Sequence, residues 1–223
     1  LNETGVVAAL AAEARTLGVP RGILLGVSGI GCARAEVTAR ALIDAGAGAL
    51  VSFGMAGGLD PKLEAGAICV PSEVISSDGA RFLTAQDWAR RVGASVFGSV
   101  TGGRLLTSMQ TIATPEHKAR AFLETGAGLV DMESLGVARI AATHGVPFIA
   151  VRVIVDTAAD ALPEAVAAAT HDGQVRIGRL IRALARSPAD LAAILRLAQR
   201  YRAAIRSLKS VARGGALAQS ALA

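Results

Sequence analysis

Along the chain, short unbroken apolar runs alternate with stretches in which apolar residues recur every three or four positions. The runs predict β-strands at residues 6–10, 22–26, 49–53, 67–70, 95–100, 105–107, 128–130 and 147–155. Helical spacing predicts helices over 32–45, 115–124 and 133–144, the last stopped by Gly145 and Pro147. Strands alternating with helices, with few tight-hairpin signals, predict a single α/β domain over residues 1–173 with a central mixed sheet flanked by helices. In such sheets the loops leaving the carboxyl ends of the strands build the site. The longest apolar stretches, 5–12 and 47–51, fall well short of the ~18–20 residues that cross a bilayer, so no transmembrane helix is expected.

Beyond residue 173 the pattern changes. Ile177, Leu180, Ile181 and Leu184, then Leu191, Ile194, Leu195, Ala198, Tyr201, Ile205 and Leu208, keep a helical period broken by Ser187-Pro188. This predicts a basic amphipathic helical extension over 174–210, while 211–223 has no strong period and is expected to fray. Residues 174–223 hold ten Lys or Arg against one acid, a balance of +9, and residues 1–173 hold thirteen against seventeen, a balance of −4. The overall +5 therefore belongs to the tail. Two readings follow: arginine-rich faces solvated while the helices pack on the body, or peripheral contact with an anionic membrane surface through 174–210. Nucleic acid is not expected as a partner, because only 3% of residues are aromatic and the body is acidic. Two cysteines, Cys32 and Cys69, make neither a disulfide framework nor a metal knuckle, which fits a reducing cytoplasm. His117, His144 and His171 share no ligand spacing, so no metal is expected.

Four segments carry candidate chemistry. Gly26-Val-Ser-Gly29-Ile-Gly31 follows a predicted strand and opens a helix, where backbone N–H groups meet an anion or hydroxyl. Arg34 stands where a dinucleotide fingerprint needs its third glycine, and a turn without any ligand is the plain alternative. Ser52-Phe-Gly-Met55-Ala-Gly57-Gly58-Leu59 has glycines that suit close approach to a ligand or tight packing. In Asp131-Met132-Glu133-Ser134, paired carboxylates at a strand–helix junction either cap the helix or accept the hydrogens of vicinal hydroxyls. In Arg152-Val-Ile-Val-Asp156, charges at the end of an apolar run need an internal partner or a task.

Taken in order with the opening run Gly5–Glu13, these segments resemble the purine nucleoside phosphorylase and uridine phosphorylase superfamily over roughly residues 5–160. The likeness is strongest to its methylthioadenosine and adenosylhomocysteine nucleosidases. The basic extension, and the run Ala161-Leu-Pro-Glu before it, resemble the hopanoid-associated phosphorylase branch, whose members are thought to release adenine from adenosylhopane. The resemblance implies N-glycosidic cleavage of a 5′-substituted adenosine, adenosylhopane foremost. It implies a small-molecule or lipid-linked substrate, no cofactor beyond phosphate as a co-substrate, and a homo-oligomer. It places the general acid for purine N7 on Asp156, the ribose-binding acid on Glu133, the base that activates water on Glu13, and an orienting cation on Arg152. Met132 would pack beneath the sugar and Ile112 would meet the adenine edge, with Gly31, Met55 and Gly57 also on the substrate. Met55, Met109 and Thr111 replace residues typical of the nucleosidases, the last an aromatic that stacks on the base, so either stacking is weaker or another side chain, such as Phe53 or Phe82, supplies it. A soluble nucleosidase of the salvage type and a noncatalytic nucleoside-binding protein are the other two readings.

Overall fold

The computed structural model describes residues 3–18, 21–96, 100–162 and 190–218. In chain order its elements begin with β1 (Glu3–Ala8), α1 (Ala11–Ala14), β2 (Ile23–Val27), α2 (Cys32–Asp44), β3 (Ala47–Gly58), β4 (Ile68–Cys69), β5 (Glu73–Ser76) and β6 (Arg81–Leu83). They continue with α3 (Gln86–Ala94), β7 (Val100–Thr101), β8 (Arg104–Thr107), α4 (Pro115–Thr125), β9 (Leu129–Asp131), α5 (Ser134–His144), β10 (Phe148–Asp156) and α6 (Asp190–Arg213).

The strands form one mixed sheet around β3, with parallel β1 along one edge and parallel β10 along the other. β2 adds in parallel outside β1, and β4 adds antiparallel outside β10. Strands buried on both faces are apolar at most positions, which is why 49–53 and 147–155, interrupted only by Ser52 and Arg152, read as runs rather than as alternation. Successive side chains feed opposite cores. Val7, Leu50 and Ala150 face α2 and α5 on one side. Val6, Val51, Phe53, Ile149 and Val151 face Trp88 of α3 and Ala204, Leu208 and Val211 of α6 on the other. Each fully buried Val, Leu or Phe contributes about 1.5–3 kcal/mol of transfer free energy. The helices α2 and α5 touch backbone to backbone: a Cβ on Gly136 would stand 2.3 Å from the Cys32 carbonyl oxygen, so only glycine fits there.

One irregularity of the sheet makes room for a site. β1 pairs with β3 only as far as Phe53, and β9 pairs with the same edge of β3, antiparallel, from Gly57 onward. Between them, among the described residues, Gly54, Met55 and Ala56 have no strand on that edge.

Helices predicted over 32–45, 115–124 and 133–144 agree with α2, α4 and α5 to within a residue at each end. A strand over 95–100 is corrected. Ser95 caps α3 and Val96 is buried beneath it, residues 97–99 lie outside the described residues, and Val100 begins the two-residue strand β7. Helix α3 itself escaped prediction because its apolar face is short, Trp88, Ala89 and Val92. In the extension, the first predicted helix lies outside the described residues, and α6 corresponds to the second. The plain packing reading holds for α6: Ala204, Leu208 and Val211 are buried, Arg196, Arg202, Arg206, Lys209 and Arg213 are exposed, and Ser207 Oγ donates to Gly66 O at 2.8 Å. Fraying from residue 211 is corrected for the described part, 211–218, while 219–223 lie outside the described residues. Ala216 and Leu217 are buried in a short 3-10 turn, Ala216–Ala218, and Trp88 Nε1 donates to Ala216 O at 3.0 Å. A period argument misses this because three residues pack there without forming a helix face.

Candidate active site

A cavity of about 330 Å³ opens at the carboxyl ends of β1, β3 and β10, against the end of β9. Glu13, Met55, Gly57, Ile112, Met132, Glu133 and Asp156 all line it, from segments up to 143 residues apart. Its remaining wall is mainly apolar, with Leu10, Ile30, Val130, Val155, Leu162 and, from α6, Tyr201.

Glu13 stands on the single turn of α1 that follows β1. Its Oε1 accepts the Met55 N–H at 2.9 Å, the donor left free where the sheet opens, and its Oε2 accepts the Leu10 N–H at 2.9 Å. Burial pushes its pKa upward, opposed by the charge of Arg152 and by these N–H donors.

Asp131 and Glu133 divide the two tasks that their motif left open. Asp131 is the structural acid: it pairs with Arg152 Nε and Nη2 at 2.8 and 2.6 Å, accepts Thr107 Oγ1 at 2.7 Å, and accepts the Ser134 N–H at 3.1 Å. Glu133 turns toward the cavity, with its Oε1 on the Gly31 N–H at 2.8 Å. Burial lifts Glu133 to about 7, and the neighbouring Asp131 charge adds to the rise.

Arg152 and Gly31 do not line the cavity. The Arg152 guanidinium is buried beneath it, held by Asp131, by Ser52 Oγ at 2.6 Å and by Ser134 Oγ at 3.0 Å. It is therefore the internal ion pair of its motif, and its charge acts on the site through its neighbours Asp131, Glu133 and Glu13. Gly31, at φ 114°, gives its N–H to Glu133 and so orients that carboxylate.

Asp156 ends β10 and is 5% exposed. Burial pushes its pKa up in spite of the ammonium of Lys118, which donates to Oδ2. Lys118 has no exposed surface, and its Nζ also donates to Thr157 O at 2.8 Å and to Asp160 O at 3.0 Å. Reading the sequence missed this residue. The available signal was position: Lys118 shares the inward face of α4 with Ala121 and Phe122, where an apolar residue is the rule.

The aromatic expectation is corrected. Phe53 is fully buried in the α3–α6 core and Phe82 packs against the α2–α5 core, so neither reaches the cavity. Among the described residues the aromatic on its wall is Tyr201. Thr111 lines the cavity, whereas Met109 is 68% exposed and lies outside it.

The family model described as the Phosphorylase superfamily matches residues 16–186. A search of curated protein sequences finds no match. Among solved structures, a Helicobacter pylori methylthioadenosine nucleosidase mutant holding 5′-methylthioadenosine in its active site superposes with a TM-score of 0.67 at 18% identity, covering 82% of this chain and 95% of that one. The futalosine hydrolase of the same organism gives 0.66 at 18% identity, over 83% and 97%. The 5′-methylthioadenosine/S-adenosylhomocysteine nucleosidase of Neisseria meningitidis, bound to methylthio-immucillin-A, gives 0.67 at 18% identity, over 98% and 96%. These likenesses agree with the mixed sheet, its flanking helices and the C-terminal helix described above. With the family model spanning most of its length, the chain belongs to the phosphorylase superfamily.

Proposed function

We propose that this protein cleaves the N-glycosidic bond of a 5′-substituted adenosine and releases adenine. The observation that carries the reading is the convergence of Glu13, Glu133 and Asp156 on one largely apolar cavity, each with its pKa raised by burial. Leaving as an anion, adenine is expelled slowly; a proton delivered to N7 as the C1′–N9 bond breaks makes it neutral, and a placed acid contributes roughly 10²- to 10⁴-fold. Asp156 supplies that proton. Glu133 accepts the ribose hydroxyls, and its carboxylate balances the positive charge that develops on the sugar ring. Glu13, held by two backbone N–H groups, takes the proton of an attacking water. Met132 packs beneath the sugar, Ile112 meets the adenine edge, and Met55 and Gly57 form the strand wall between them. Arg152 acts from below by fixing Asp131 and the start of α5.

The 5′ group is proposed to be an apolar, lipid-linked one, adenosylhopane in particular. The apolar wall and the exposed arginines of α6, which suit an anionic membrane surface, support this reading. Adenine release followed by chromatography, from adenosylhopane and from methylthioadenosine, each with and without phosphate, tests it. Release from the lipid alone is the expected result, and Asp156→Asn should lower it by about 10²-fold or more. Equal or better turnover of methylthioadenosine would return the protein to the soluble salvage enzymes, and a fully active Asp156→Asn would remove the acid assignment.

A further inference from the structure

Lys118 does not line the cavity but lies directly behind Asp156, which does. Among the described residues its Nζ has three acceptors: Asp156 Oδ2, Thr157 O and Asp160 O. The same three contacts serve the other protonation state of the pair equally well. A neutral lysine amine keeps two N–H donors for the two carbonyls, and its lone pair accepts the O–H of a protonated Asp156. The pair is net neutral either way, so burial does not forbid the shift, and no other hydrogen bond breaks. Asp160 and Arg200, the other charged groups near Asp156, are paired with each other, and Thr157 N and Oγ1 donate to Asp160 Oδ2 at 2.8 and 2.6 Å. The turn that presents both carbonyls to Lys118 is thereby held in place.

We propose that Lys118 is the positioning residue that loads Asp156 with its proton, so that the two act as one acid; this rests on the adenosine-cleaving reading of the site. As the C1′–N9 bond breaks, its electron pair passes into the purine, and N7 takes a proton from Asp156. The Lys118 ammonium passes a proton to the Asp156 carboxylate and becomes an amine. Water adds to C1′ and gives its proton to Glu13. After the products leave, solvent entering the open cavity returns a proton to Lys118 through Asp156, and Glu13 releases its own.

The test compares two leaving groups in wild-type protein, Lys118→Met and Lys118→Arg. One substrate is methylthioadenosine, or adenosylhopane if only that is cleaved, and its leaving group needs N7 protonation. The other is a p-nitrophenyl riboside with the same 5′ group, whose leaving anion needs no proton. Lys118→Met should lose about 10²-fold or more in kcat on the adenosine and stay within about threefold of wild type on the aryl riboside. Lys118→Arg, which keeps the charge but holds its proton at neutral pH, should fail to restore the adenosine rate. Equal losses on both substrates would mean that Lys118 only holds the fold, and would overturn the proposal. So would an undiminished Lys118→Met, or rescue by arginine. A wild-type protein that cleaves neither substrate would instead overturn the adenosine-cleaving reading itself.

Discussion

Gly54 offers a one-methyl probe of the site. It lies in β3 where the neighbouring strand is missing, and its backbone conformation is one that alanine adopts freely. A Cβ there would stand 2.7 Å from Glu13 Oε1, 2.9 Å from Glu13 Cδ and 3.0 Å from Arg152 Nη1, whereas ordinary contact begins near 3.4 Å. Gly54→Ala must therefore displace the Glu13 carboxylate by about 0.7 Å and stretch its bond to the Met55 N–H. A misplacement near 1 Å costs about 10²-fold in rate, so a fall in kcat of roughly 10- to 100-fold is expected. Overpacking by one methyl also costs about 1–3 kcal/mol of stability. Gly5→Ala separates the two effects. Its Cβ would stand 2.8 Å from Leu50 Cδ2 and 3.0 Å from Ala47 Cβ, a comparable clash inside the α2–α5 core. Urea unfolding of both variants, with kcat and KM for adenine release at a temperature where each stays folded, reads the two quantities independently. Similar stability losses with a rate loss confined to Gly54→Ala are expected. Full activity in Gly54→Ala, or an equal rate loss in Gly5→Ala, would refute the placement of Glu13 as the group that activates water.

Two further outcomes follow from the buried carboxylates. Glu133 has a folded pKa of about 7 against an ordinary value of 4.5, so its contribution to stability is complete below about pH 4.5 and is lost as pH rises through 7. Urea midpoints between pH 5 and 8 should fall more steeply in wild type than in Glu133→Gln, by up to about 3 kcal/mol in unfolding free energy, and parallel slopes would contradict the assignment. The slope left in the variant should have the same sign, since Glu13 and Asp156 are shifted upward too. Asp131→Asn leaves the Arg152 charge buried without its counter-ion and should cost about 3–5 kcal/mol by thermal or urea unfolding, while a loss below about 1 kcal/mol would show that Ser52 and Ser134 suffice to hold the guanidinium.

The central architecture was legible where one segment carried its own signal. β3 and β10 are buried on both faces and therefore apolar at nearly every position, and α4 is bounded by Thr114-Pro115 and Gly126, a cap, a first-turn proline and a left-handed stop. The order of the glycine turns and charged motifs likewise brought Glu13, Glu133 and Asp156 together in the resemblance, and the fold places all three on one cavity. Composition assigned the excess positive charge to the C-terminal extension, and the outer face of α6 carries its share of it.

Other features depended on which distant residue arrives beside a given side chain. Arg152 reads equally well as a ligand of the substrate or as half of an ion pair, and only the arrival of Asp131, 21 residues earlier, decides for the pair. Lys118 sits on the inward face of α4, and its partner becomes visible only when β10 brings Asp156 against it from 38 residues away. The opening in the sheet at Gly54–Ala56 belongs to no single strand, because it exists only where β1 ends and β9 begins along one edge of β3. Local sequence determined the long, strongly patterned strands and helices, since burial pattern and backbone preference act within a few residues, while a short element such as α3 carried too little pattern. Tertiary structure alone decided which charges are neutralised and which are left facing the cavity, since that choice depends on desolvation and on partners that the chain brings together only when it folds.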